Sequence, residues 1–308
     1  GLPATAQLPN RGYREGATLF FFCRWSGSPM MGHELRVIWE MSDYVKARRD
    51  LSQRQKKLAE FKAPKAPLEL YRRFLFYKFF IASDKPVLVT EGKTDIIYLR
   101  TAIKALQKNY PALVHAEGDN IEFSVRFLNS SLVNQQVLNL GTGFVGMTAV
   151  INVYKSRLKL YRFLPLAHPV IFIVDNDKGG ENVLKAADKV SHQDVRPTST
   201  DAFFHIQRNL YLVKTPLGND GSLSAIENCF PEEVLKQSIS EKQLNLKKKH
   251  GDETSFSKQI FAEQIVQLGV DKIDFSGFSP ILDGISKAII DYDTRHNETA
   301  QRSSEKSA

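Results

Sequence analysis

Apolar positions in this chain fall into two regimes, and the change comes near residue 86. Beyond it, short apolar runs rich in β-branched residues recur at 86–90 (PVLVT), 136–140 (QVLNL) and 169–174 (PVIFIV). Runs of that length suit strands rather than helices. Helix-like stretches at 94–108, 144–163 and 180–190 separate them. Alternation of this kind predicts an α/β fold with a parallel sheet covered by helices. Segments 121–128 (IEFSVRFL) and 209–216 (NLYLVKTP) read as further strands, and 224–237, 257–268 and 279–291 as C-terminal helical additions.

Before residue 86 the pattern is helical where it can be read. Residues 1–33 show no clear period and stay unassigned. Residues 34–60 place Leu35, Ile38, Trp39 and Met41 or Tyr44 on one side of a helix. Its second half carries Arg48, Arg49, Arg54, Lys56 and Lys57, which suits a solvated face better than phosphate contact. The prolines of APKAP (63–67) disfavour a continuing helix and mark a linker or a new start. Residues 68–83 then read as a largely buried helix. The polar tail, 294–308, is expected to be disordered. No internal repeat is evident.

Composition adds bounds rather than identity. With 308 residues the chain is long enough for one large domain or a domain with an appendage. Its two cysteines, Cys23 and Cys229, cannot build a disulfide framework, which fits a reducing cytoplasm. No apolar run approaches the roughly 18 residues of a membrane span, and ATLFFFC near the start lacks a signal-peptide layout. The chain opens on Gly1 rather than Met, as expected of a piece of a longer protein. A net charge of +8 favours a polyanionic partner only weakly. The seven histidines are scattered without metal-ligand spacing and read as structural or surface residues.

The chemistry sits where strands end. In an open parallel sheet, ligands collect at the carboxyl ends of the strands. Glu91 follows VLVT, and Asp175 and Asp177 follow VIFIV in VDNDKGG. Asp95, one helical turn beyond Glu91, faces the same edge. Four carboxylates converging there repel unless a cation neutralises them. Oxygen ligands select Mg²⁺ or Mn²⁺ over zinc. A single aspartate after a strand is commonly a helix cap, but two acidic strand ends in one alternating unit are harder to explain that way. Gly92, and Gly141 and Gly143 of LGTGF, are candidate phosphate-approach positions. No Walker lysine or dinucleotide fingerprint is present, so a nucleotide cofactor is not expected.

VLVTEGKTD, LNLGTG and VIFIVDNDKGG, in that order, resemble the TOPRIM fold of topoisomerases, primases and related nucleases. The match covers roughly residues 85–190 and places Glu91, Asp175 and Asp177 at the family's catalytic positions. The E-G-x-T-D form is similar to the overcoming-lysogenization-defect nucleases. That resemblance implies two metal ions, with a downstream glutamate and a lysine completing the site. Glu227 in SAIENCFP and Lys258 in SFSKQIFAEQIV are the candidates. The bland alternatives are a glutamate favoured by a helix dipole and an exposed lysine.

A closer resemblance spans nearly all of residues 34–291. YRRFLFYKFF, NLYLVKTPL and SKQIFAEQIV with KIDFSGF are similar to the C-terminal extension of TOPRIM-bearing retron reverse transcriptases. It implies that 34–84 is a helical linker, in part a remnant of the polymerase thumb. Residues 85–215 are then the TOPRIM core, 216–293 an extension completing the site, and 294–308 the tail. No Tyr-x-Asp-Asp motif occurs, so this chain cannot itself copy RNA. The resemblance implies a cytoplasmic, Mg²⁺-dependent nuclease in anti-phage defence, cleaving DNA or RNA, tRNA included. Its partner would be the retron RNA–DNA hybrid, holding it inactive. A homo-oligomer is compatible with this reading, and a membrane partner is not expected. Two rival classes are a catalytically silent binding module and a primase- or topoisomerase-like enzyme.

Overall fold

The computed structural model describes residues 65–117, 120–128, 144–218, 220–236, 238–239, 242–244 and 255–305. The expected helix at 34–60 with its basic residues, the strand at 136–140, and Gly141 and Gly143 lie outside the described residues. The chain divides between Tyr71 and Arg72 into two compact units. Of the first, only 65–71 are described, as the opening of helix α1 (Lys65–Phe76). A π-helical turn, Tyr77–Ile81, continues α1.

The second unit is mixed α/β and is built on a five-stranded, mostly parallel sheet. Its strands are β1 (Val87–Thr90), β4 (Arg126–Leu128), β5 (Val170–Val174), β6 (Phe204–Gln207) and β7 (Leu210–Lys214), ordered β4-β1-β5-β7-β6. Strands β4, β1, β5 and β7 run parallel, and β6 joins as an antiparallel edge. All residues of β1 and β5 are buried, which explains their unbroken apolar runs.

Helix α2 (Lys93–Ala105), the π-helical turn Phe261–Val266 and helix α5 (Ser279–Glu305) contribute to one core cluster. Within it Phe230 stacks edge-on against Tyr98, Phe261, Phe275 and Phe278. Helix α3 (Phe144–Leu158) packs against α4 (Glu181–Ser191). Tyr154 of α3 also meets Phe76 and Phe80. Strands β2 (Val114–Glu117) and β3 (Asn120–Phe123) form a separate hairpin. Strands β8 (Ser238–Ile239), β9 (Lys242–Leu244) and β10 (Ser255–Phe256) form a small third sheet. No helix among the described residues is long and apolar enough to cross a membrane.

Four expectations need correction. The run 121–128 is not one strand: a bend at Ser124–Val125 sends β3 to the hairpin and β4 to the main sheet. The helix expected at 224–237 is a 3₁₀ turn, Ile226–Cys229, and a short helix, Glu232–Leu235. Pro231 separates them by holding Phe230 extended, at ψ 148°. The segment 257–268 is one short α-turn, Lys258–Ile260, passing into the π-turn. The tail is not coil from 294, because α5 runs on to Glu305. Once nucleated, a helix extends at little cost even through polar sequence.

Candidate active site

Each acid is delivered by a separate local device. Glu91 is the first residue past β1 and is half-buried. Gly92 turns the chain into α2; a Cβ on it would fall 2.9 Å from Asp95 Oδ1, so any other residue there would push the Asp95 carboxylate aside. Asp95 lies in the first turn of α2, where its Oδ2 accepts the Gly92 N–H at 2.7 Å. Expected to approach phosphate, the Gly92 amide is thus engaged by Asp95. The Thr94 hydroxyl adds a longer bond, 3.3 Å, to Asp95 Oδ1.

Asp175 and Asp177 follow β5. Asp175 Oδ1 accepts the Ile226 N–H at 2.9 Å. Asp177 Oδ1 accepts the Gly180 N–H at 2.8 Å, just before α4. Gly180 packs so closely that a Cβ would lie 1.9 Å from the Asp175 carbonyl oxygen. Only glycine lets this turn close.

Glu227 sits on the 3₁₀ turn and is 1% exposed. Lys258, whose turn is capped by Ser257, brings its Nζ to 2.6 Å from Glu227 Oε1. The sequence-nominated Glu91, Asp95, Asp175, Asp177, Glu227 and Lys258 therefore come within electrostatic reach of one another.

The titration behaviour follows from that crowding. Burial, then the charges of Asp177 and Asp95, push the Glu91 carboxyl up to about 7. Burial, then Asp95, Glu91 and Glu227, push Asp175 up to about 8 against the Ile226 N–H. Asp95 is raised because burial outweighs its bond from Gly92. For Lys258, burial disfavours the charge, but Glu227, Asp175 and Asp95 overcome it and raise the ammonium above its ordinary range. Burial, then Asp175 and Glu227, lift the Cys229 thiol to about 12, which leaves it inert as a nucleophile.

The donor set fits a hard divalent cation. Every candidate ligand is a carboxylate oxygen. Glu91 Oε1 and Glu227 Oε2 are buried and find no hydrogen-bond donor among the described residues. Unsatisfied buried acceptors of this kind are costly unless something completes them. Among the described residues, no three His, Cys, Asp or Glu side chains already close around one point. Capture of an ion therefore requires side-chain adjustment, with Lys258 as the charge now closest to Glu227.

Strand ends and acids alone did not disclose the polar residues behind the site. Asn176, Thr215 and Ser224 are buried and hydrogen-bonded to one another between Asp175 and the Glu227 turn. The one sequence signal for them is a polar residue between two aspartates. No protein-family model matches the chain, and no solved structure matches it.

Proposed function

We propose that this chain is a TOPRIM-type, divalent-cation-dependent nuclease that cleaves phosphodiester bonds in nucleic acid. The observation that carries the reading is the meeting of five carboxylates and one lysine, from segments far apart in sequence, beyond β1 and β5. Glu91, Asp95 and Glu227 would hold one Mg²⁺ or Mn²⁺, and Asp175 and Asp177 a second. Such ions, when bound, supply Lewis-acid stabilisation of phosphoryl oxygens and a more acidic water.

The chain's own groups do the rest. The Lys258 side chain, 40% exposed, is a cation able to meet charge developing on the phosphate. As the alternative to ligating an ion, Glu91, which burial and its neighbours push up to about 7 without one, is the candidate general acid or base. The motif resemblance further supports a role as the effector portion of a retron reverse transcriptase in anti-phage defence, restrained by the retron RNA–DNA hybrid. Targets are DNA or RNA, tRNA included.

The test incubates the purified chain with labelled DNA, total RNA and tRNA, in Mg²⁺, Mn²⁺ or EDTA. Cation-dependent cleavage is expected, reduced at least about 100-fold by Asp175→Ala and by Glu91→Gln. Cleavage that survives in both variants removes the proposed site.

One observation favours a second reading. No three acids close around a point among the described residues, and Glu227 already holds a cation in Lys258. A cation-independent module that docks nucleic acid or a partner chain would suit that arrangement. It predicts equal binding in EDTA and unchanged affinity in Asp175→Ala.

A further inference from the structure

Strand β5 ends at Val174, yet the chain stays ordered for three more residues with no continuous ladder to hold it. What holds it is a buried polar network. The Asn176 N–H donates to Thr215 Oγ1 at 2.8 Å, and the Thr215 hydroxyl donates onward to the Ser224 carbonyl at 2.9 Å. The Ser224 N–H returns to the Asn176 carbonyl at 3.0 Å, closing the ring as an isolated β-bridge. The Ser224 hydroxyl donates to the Pro216 carbonyl and lies 3.2 Å from Thr215 Oγ1. The Asn176 Nδ2 donates to the Pro197 carbonyl at 2.9 Å.

Asn176 and Thr215 are 0% exposed and Ser224 is 4% exposed. So many buried polar groups in one place need a reason, because each costs free energy unless bonded. Their position supplies it. Extended backbone sends alternate side chains to opposite sides, so fixing Asn176 inward leaves Asp175 and Asp177 free of that contact. Ser224 lies just before Ala225, the N-cap of the turn that carries Glu227, and Ile226 on that turn donates to Asp175 Oδ1 at 2.9 Å. The ring therefore ties both aspartates to the Glu227 segment.

We propose that Asn176, Thr215 and Ser224 form a clamp that sets the spacing between the Asp175–Asp177 pair and Glu227, and so are positioning residues for divalent-cation capture. The inference rests on the cation-dependent nuclease reading. The Thr215 hydroxyl is its keystone, because it accepts one hydrogen bond and donates another, which a methyl group cannot do. Serine keeps that capacity and valine loses it.

The test titrates Mn²⁺ into the full chain by calorimetry, for wild type, Thr215→Val, Thr215→Ser, Ser224→Ala and Asp175→Asn. Amide hydrogen exchange at Asn176 and Ile226 is followed in the same proteins. Expected are Mn²⁺ binding by wild type and its loss in Asp175→Asn. Thr215→Val should weaken binding about 10-fold or more, as removal of a ligand-orienting partner does. Thr215→Ser should stay within about 3-fold of wild type, and Ser224→Ala should fall between the two. Exchange at Asn176 and Ile226 should quicken in Thr215→Val and not in Thr215→Ser. Ser224→Ala keeps the backbone bridge and serves as the folded comparison should Thr215→Val not fold.

Wild-type Mn²⁺ affinity in a folded Thr215→Val, or in Ser224→Ala with Thr215→Val unfolded, overturns the clamp while leaving the nuclease reading intact. Absence of Mn²⁺ binding in wild type overturns both.

Discussion

Two buried asparagines flank the same sheet, and they sit in opposite kinds of surroundings. Asn209 precedes β7. Its Oδ1 accepts the Tyr154 hydroxyl at 2.8 Å, and its Nδ2 donates to the carbonyls of Phe80 and His168, each at 3.0 Å. Around it Phe76 and Phe80 stack at 4.9 Å between centroids, and Tyr154 leans against both. Asn176 follows β5, and its Oδ1 has no donor among the described residues. Next to it in the chain is Asp175, whose raised carboxyl is coupled to Glu91 and Glu227, each of which has a buried oxygen without a hydrogen-bond donor among the described residues. One end of the sheet is completed by its own groups. The other carries charge that the fold alone does not neutralise, which is where a binding function concentrates.

The sharpest way to break this comparison is at the completed end. Replacing Asn209 with Leu takes the Nδ2 donor from the His168 carbonyl and leaves the Tyr154 hydroxyl and the Phe80 carbonyl only their longer bond to each other, at 3.3 Å. The expected cost is about 3–4 kcal/mol, read by urea denaturation, with Mn²⁺ affinity of the remaining folded protein unchanged. A cost below about 1 kcal/mol would mean that Asn209 is not the tie it resembles.

Next in size is Lys258→Met, which keeps the stem and removes the charge. Glu227, at 1% exposure, is then left without its ion-pair partner. The full penalty of breaking a buried pair is reduced here, because the Lys258 side chain is 40% exposed. A loss of about 2 kcal/mol in EDTA is expected, mostly recovered by Mn²⁺. Equal stability of variant and wild type in EDTA would show that Lys258 does not neutralise the acids.

How much of this was legible differs from feature to feature, and the reason is range. Strands β1 and β5 announce themselves because every residue in them is buried, so burial writes directly into composition. Glu91, Asp175 and Asp177 were legible because they interrupt those runs at the point where a parallel sheet opens. Strand β6 was missed because its residues alternate buried and half-buried over only four positions. The π-turns leave no periodic mark distinct from a helix. The clamp was invisible because Asn176 and Thr215 lie 39 positions apart, and a hydrogen bond across such a gap imposes no pattern on either segment. Glu227 was named from resemblance, although its helix is only a single turn.

The last effect is the most diagnostic, because its sign is unusual. Most carboxylates in folded proteins stabilise more as they ionise, but Asp175 is pushed up to about 8 and Glu91 to about 7. A native state that holds these protons more tightly than the unfolded chain loses stability as pH rises. The loss begins near the ordinary carboxylate range, about pH 4, and is complete once pH passes the raised values. Asp175→Asn removes the larger contribution while keeping an oxygen for the Ile226 N–H. In EDTA the variant and wild type should therefore be nearly equal at about pH 4. The variant should gain steadily until it is about 2 kcal/mol more stable at about pH 8. Parallel stability curves across that window would show that burial and the neighbouring acids do not hold the proton on Asp175. The rim would then resemble the completed end of the sheet, and the comparison would fail.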